Sequence, residues 1–254
     1  NSGTIAGESN DGVRLIGGNS ELHLRLTLWR GRRVLDVSAR VLWNERAARL
    51  KLVFTGAGET AEFDVPGGTV VRPPCGEVPG GRWVRSGRLG FASDALYNFD
   101  LKDRVLRATV CRASRYANDV RRGPDEEPWL PVVDRGELKF RFLLTTDVGN
   151  LPRLAAELER PPVVLSVPAS AGVLPRKGTL MCLSPASLEL LALKPSEDGR
   201  GAVLRVRSAT RCRASLQWLG RRIDLGNMRR GEIATWRLAR TGKVMRLNAV
   251  EERE

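Results

Sequence analysis

The sequence predicts an all-β protein, and three observations predict it. Apolar residues recur at every second position in segment after segment. Turns bearing glycine and proline separate those segments at short intervals. Only LPRLAAELE (151–159) has the spacing of a helix, and Pro161 and Pro162 stop it. Many short strands joined this way build a β-sandwich.

Taken in order, ELHLRLTLW directs Leu22, Leu24, Leu26 and Leu28 to one face and His23, Arg25 and Thr27 to the other. After a turn at Arg30, Gly31 and Arg32, the next strand buries Leu35, Val37, Ala39, Val41 and Trp43 and exposes Asp36, Ser38 and Arg40. Leu50, Leu52 and Phe54 continue the sheet. Further strands are expected at 69–71, 90–93, 105–111, 138–144, 188–193, 202–207, 212–218 and 233–237. In the strand beginning at Cys212, the inner face is Cys212, Ala214, Leu216 and Trp218. Two stretches break the pattern: the acidic loop RGPDEEPWLP (122–131) and the proline-dense 160–178. The second is the better boundary. It gives a first β domain over 1–160, with 1–18 as a polar tail, a connector over 161–178 and a small β-sandwich over 179–248.

The totals bound the function. At 254 residues with ordinary apolar content, the chain can bury real cores and is not a disordered tail. No run approaches the roughly 18 to 20 apolar residues of a membrane helix, and NSGTIAGESNDG lacks the regions of a signal peptide. The net charge of +13 comes from 42 Lys and Arg, of which six are lysines and 42 − 6 = 36 are arginines. Such a charge can mark a nucleic-acid footprint. Here the arginines alternate singly with apolar residues and accompany no recognition helix, aromatic RNA-binding motif or zinc-finger spacing, so no nucleic-acid partner is expected. Cys75, Cys111, Cys182 and Cys212 are far apart and the only histidine is His23, so no metal site is expected. Cys212, in phase with apolar neighbours, favours a buried thiol in a reducing, cytoplasmic compartment.

The stretch ALKPSEDGRGAVLRV (192–206) tests three chemistries. A calcium loop needs oxygen ligands at alternating positions and a closing carboxylate; here Glu197 and Asp198 are adjacent and no acid follows before Asp224. A phosphate cradle needs Lys-Ser/Thr opening a helix, and a strand-like run follows instead. The residues read as a turn, with Asp198 and Gly199 supplying the positive φ of a tight hairpin. Leu191 and Leu193 are expected to face the core, and Lys194 and Arg205 to pair with the turn's acids.

Several segments, in order, resemble one family, the family 38 glycoside hydrolases or α-mannosidases. TLWRGRRVLDVSARVLWNERAARLKLVF resembles the "W-x-E…LK-x-x-F" passage of their β domain. FDVPGGTVVRPP is similar to the "P-Y-G-x-x-x-R-P" segment, and RWVRSGRLGFASDALYNFDLKDRVLRATVCRASRYA to the block around "G-x-A-L-x-N-D…Y-G". VDRGELKFRFLL resembles "D-x-G-x-H-x-F-x-Y", and LALKPSEDGRGAVLRV the terminal "A-L-K-x-x-E-D-G-x-G-x-x-L-R". The matching positions include Asp94, Tyr97, Arg112, Asp134, Gly136, Lys194, Glu197, Asp198, Gly199, Gly201 and Arg205. Gly67 stands in place of the aromatic of P-Y-G, Leu138 in place of the histidine, Ser93 and Asn98 in place of the residues around Tyr97, and Ala113 and Ser114 in place of Ser-Pro.

The resemblance implies a galactose-mutarotase-like supersandwich portion followed by a smaller C-terminal sandwich, the family's β region without its α/β catalytic barrel. Zinc and the aspartate nucleophile would belong to that barrel, so this chain alone is expected to have no catalytic residues and no cofactor. The missing aromatic and histidine argue against ordinary mannosidase activity in a longer parent. Its expected partners are the catalytic domain of the same enzyme, mannosides and, as an open option, further copies of itself. Its expected sugar-facing residues are Arg72, Trp83, Tyr97 and Arg112, because guanidinium groups donate in a plane and aromatic faces stack on pyranoses. Two rivals remain: a standalone carbohydrate-binding module, and a hydrolase using Asp94 and Asp134 as a carboxylate pair.

Overall fold

The structure, a computed structural model, describes residues 11–15, 19–46, 48–114, 132–168, 172–173, 175–239 and 241–253, the first of these segments through its backbone. The class is all-β: nineteen strands and one helix among the described residues. The chain divides into two compact units, residues 1–164 and 165–254.

The first unit contains β1 (Asp11–Leu15), β2 (Glu21–Leu28), β3 (Val34–Trp43), β4 (Arg49–Thr55), β5 (Ala61–Val65), β6 (Gly68–Arg72), β7 (Cys75–Pro79), β8 (Trp83–Ser86), β9 (Leu89–Ser93), β10 (Asn98–Lys102), β11 (Val105–Arg112), β12 (Gly136–Thr145) and α1 (Leu151–Glu159). An eight-stranded sheet runs β1-β2-β3-β12-β9-β8-β5-β6, and a four-stranded sheet runs β4-β11-β10-β7. Their facing sides share one core, in which Phe91 stacks on Phe142 at 5.6 Å and meets Phe54 and Phe99 at 5.4 and 5.8 Å.

On the opposite side of the large sheet, α1 buries Leu151, Leu154, Ala155 and Leu158 against Trp83, Ala92, Leu143 and Val34. This covering explains why β8 and β9 are buried on both faces. The helix leaves the β2, β3 and β12 end of that face open. The expected tail over 1–18 is corrected in part: residues 11–15 pair with β2, placing Asp11 opposite Arg25 and Leu15 opposite Glu21. The acidic loop at 122–131 lies outside the described residues.

The second unit packs a three-stranded sheet, β13 (Met181–Ser184), β16 (Cys212–Trp218) and β17 (Arg221–Met228), against β14 (Leu188–Pro195), β15 (Gly201–Ser208), β18 (Ile233–Ala239) and β19 (Val244–Leu247). Leu204, Val206, Ala214, Leu216, Leu225, Met228 and Trp236 fill the sandwich. A bulge between Leu190 and Ala192 corrects the expected facing of β14. Leu188 and Leu190 serve the core, whereas Leu191 lines a cavity with Ala192 and Arg205, and Leu193 is half exposed.

The Glu197, Asp198 and Gly199 turn joins β14 to β15 as an antiparallel hairpin. Gly199 has φ +68° and donates its N–H to the Ser196 carbonyl at 2.8 Å. The expected ion pairs are different ones. Asp198 pairs with Arg237 on β18, while Lys194 and Arg205 both reach Glu251, at 2.8 and 3.6 Å.

Candidate functional site

Register builds the groove on the open face of the large sheet. Pairing places His23, Arg40 and Lys139 in one row across β2, β3 and β12, and Arg25, Ser38 and Arg141 in the next. Alternation turns all six outward, because Leu22, Val37, Ala39, Val41, Phe140 and Phe142 take the inward positions. The segment after β9 forms one wall. The Asp94 carboxylate accepts the Arg141 backbone N–H at 2.8 Å, the Asp94 N–H donates to the Arg141 carbonyl at 3.2 Å, and the Ser93 hydroxyl donates to the same carbonyl at 3.0 Å. The result is an open cavity of about 710 Å³, within the roughly 300–1,000 Å³ of small-ligand sites.

Its charges are balanced by neighbours. Arg40 and Lys139 share Glu137, Arg141 pairs with Asp36 at 2.8 Å, and His23 stands 3.3 Å from Glu21. Hydrogen bonds from Arg40 and then Lys139 hold the Glu137 carboxyl below its ordinary value. A zinc ion does not fit here: His23 has one carboxylate neighbour and shares its row with two cations. No group of three His, Cys, Asp or Glu residues able to hold a metal occurs among the described residues.

The outer face of the four-stranded sheet carries a different arrangement. The Lys51 ammonium lies 2.5 Å from Asp100 and 3.5 Å from Glu77. Arg107 and Arg49 complete the set at 2.8 and 2.7 Å, and Thr109 donates to Glu77. The Thr109 hydrogen bond leads in lowering the Glu77 pKa. Burial alone would raise that of Asp100, but the hydrogen bonds from Lys51 and Arg107 outweigh it and carry it down. Two carboxylates held ionised give no general acid, so this cluster is an ion network rather than a hydrolytic pair.

The residues expected to face sugar separate. Tyr97 is 46% exposed and donates its hydroxyl to the Asp94 carbonyl at 2.9 Å, but it is not among the residues that line the groove. Arg72 donates to the Pro79 carbonyl at 2.9 Å and lies 4.8 Å over the Phe63 ring. The next residue, Gly80, donates to the Tyr97 carbonyl, so Arg72 and Tyr97 are near neighbours. Arg112 belongs to the other sheet, opposite Arg49, with its N–H on Asp134 at 3.0 Å. Trp83 is corrected: at 2% exposure its ring packs under α1 and offers no face to a ligand.

Asp94 and Asp134 also fail as a pair. Asp94 is bonded at Arg141, and Asp134 lies before Gly136, so roughly 17 Å of strand at about 3.4 Å per residue divides them. Glycosidase carboxylates need about 5 to 9.5 Å. The groove itself escaped residue-by-residue reading. Its only sequence signal is the polar phase of three strands, and the register that aligns them is not written in any one of them.

No protein-family model matches the sequence, and no curated protein matches it. Among solved structures, an α-mannosidase from Enterococcus faecalis V583 superposes with a TM-score of 0.72 at 18% identity, over 86% of this chain and 29% of that one. The likeness establishes the fold class, and this chain spans less than a third of that enzyme's length. No helix among the described residues is long and apolar enough to cross a membrane.

Proposed function

We propose that this chain is the accessory β region of an α-mannosidase-like glycoside hydrolase. It would pack beside an α/β catalytic domain of the same enzyme, complete the wall of the cleft and carry contacts to mannosides. Retaining hydrolysis through a glycosyl-enzyme intermediate, and the zinc, would belong to that other domain. The observation that carries the reading is the fold shared across 86% of this chain with a 29% portion of a much longer α-mannosidase. A standalone carbohydrate-binding module is the second reading, favoured by the open groove across β2, β3 and β12.

The test is hydrolysis of an aryl α-mannoside by the purified chain, with and without zinc, beside inspection of the encoding reading frame. No turnover is expected from the chain, and an upstream barrel bearing a His-x-Asp pair is expected in the frame. Zinc-dependent turnover abolished by His23→Ala would overturn the reading. A frame without a barrel would leave only the binding-module alternative.

A further inference from the structure

We propose that one end of the second unit docks on an anionic lipid surface, with Leu219 and Leu180 as the side chains that enter it. The hairpin between β16 and β17 holds the first sign. Trp218 pairs with Arg221, so only Leu219 and Gly220 make the connection. Their φ values are +49° and +79°, the two left-handed residues of a tight turn. Glycine takes that conformation freely and asparagine takes it at little cost, whereas a leucine side chain crowds its own carbonyl there. Packing does not explain the choice, because Leu219 is 64% exposed. A bulky residue strained at an exposed tip points to a contact outside the molecule.

A second leucine stands beside it. The Leu219 N–H donates to the Leu180 carbonyl at 2.9 Å, and Leu180 is 75% exposed. Single exposed leucines are ordinary on a protein surface. Two joined at one tip, one of them strained, form an apolar knob. Cations surround it. Exposed Arg221 and Arg222 follow on β17, and a Cβ on Gly242 would lie 2.9 Å from the Arg221 guanidinium, which puts the β18–β19 turn and exposed Lys243 alongside. The pairing of Gly201 with Ala239 brings the β14–β15 turn, with exposed Arg200, to the same end. The described carboxylates of these turns are Glu197 and Asp198, and Asp198 is already held by Arg237. Apolar side chains ringed by cations match the boundary between anionic headgroups and acyl chains. A nucleic acid would use the cations and leave both leucines in water, so the knob decides for a lipid surface.

The experiment is co-sedimentation of the full chain with vesicles of phosphatidylcholine containing about one-third phosphatidylserine, beside pure phosphatidylcholine vesicles and a single-stranded oligonucleotide binding assay. Binding is expected to the anionic vesicles and not to the neutral ones. Leu219→Asn keeps the charge and relieves the turn, so it should melt no lower than the parent while its vesicle partition falls about tenfold, the scale of one leucine withdrawn from an apolar phase. Arg221→Gln should lower partition about fivefold. Arg230→Gln, beyond the far end of β17, should change it less than about twofold, because salt screens a charge held away from the surface. Absence of binding to anionic vesicles, equal binding to neutral ones, a Leu219→Asn variant that binds like the parent, or an equal loss in Arg230→Gln would each overturn the proposal. An oligonucleotide bound more tightly than the vesicles would overturn it too, as attraction to charge alone. A reading frame without a catalytic barrel would remove the accessory-domain reading and leave this result standing.

Discussion

Two glycines in the hairpin between β14 and β15 are required for different reasons, and substitution separates them. Gly199 has φ +68° and nothing within 4 Å of the place a Cβ would occupy. Gly199→Val therefore meets no obstacle and suffers only backbone strain, about 1–2 kcal/mol for a side chain in the left-handed region. A stiffer unfolded chain offsets up to about 1 kcal/mol of this, leaving a loss on the order of 1 kcal/mol. Gly199→Asn should lose less, because asparagine tolerates that region. Gly201 has an ordinary φ, but a Cβ there would lie 2.4 Å from the Leu238 carbonyl oxygen, a backbone atom of β18. Gly201→Ala must part β15 from β18, so it should be the most damaging of the three. Urea denaturation, read segment by segment through amide exchange in residues 201–208, gives the ranking. Gly199→Val as stable as the parent, or Gly201→Ala milder than Gly199→Val, would refute the reasoning.

Acid should weaken the second unit. Asp198, held by the Arg200 N–H, the Ser196 hydroxyl and Arg237, and Asp224, held by Arg213 and the Gly226 N–H, both have pKa values lowered to about 2. Depressed values stabilise fully above the ordinary carboxyl range near 4, and the contribution is lost as pH falls through about 2; Asp198→Asn should flatten that limb of the melting-temperature profile. In the first unit, Phe91→Ala removes the ring that touches Phe54, Phe99 and Phe142 and should cost about 3–5 kcal/mol in denaturant midpoint analysis. Calcium should leave the melting temperature of the chain unchanged, since both Asp198 oxygens are already engaged by protein donors.

How much of this was legible depends on what covers each strand. The strands with one buried and one wet face announced themselves: β3 buries Val37, Ala39, Val41 and Trp43 in strict alternation, and β16 does the same with Ala214 and Leu216. Among the strands that break that condition, β9 was expected at 90–93, but β8 and β5 were missed. β8 is buried on both sides because α1 lies over Trp83, so WVRS shows no period. In β5 a polar residue occupies a buried place. Asp64 is 4% exposed and accepts the Arg82 backbone and side-chain N–H groups at 3.1 Å, which makes AEFDV read as a loop. A bulge opposite Ala214 and Ser215 shifts the phase of β17, as the one at Leu190–Ala192 shifts β14.

The arginines follow the same logic. Read along the chain they were a diffuse positive charge, but across the strands they have addresses: Arg85 on Glu62, Arg107 on Asp100, Arg207 on Glu189, Arg213 on Asp224 and Arg246 on Glu232. In each pair the two residues lie on neighbouring strands or a turn apart, so register matches them, including the buried Arg207 and Asp100. The groove is the same device with a cavity over it. Its floor carries Lys139 and Arg141 two residues apart on β12 and Arg25 on β2, and β3 supplies Arg40 between them. Sliding β12 by one residue against β3 would turn Lys139 and Arg141 into the core and bring Leu138 and Phe140 to the surface. The hydrophobic pattern that encodes the sandwich therefore also enforces the alignment of the groove, although no single segment displays it.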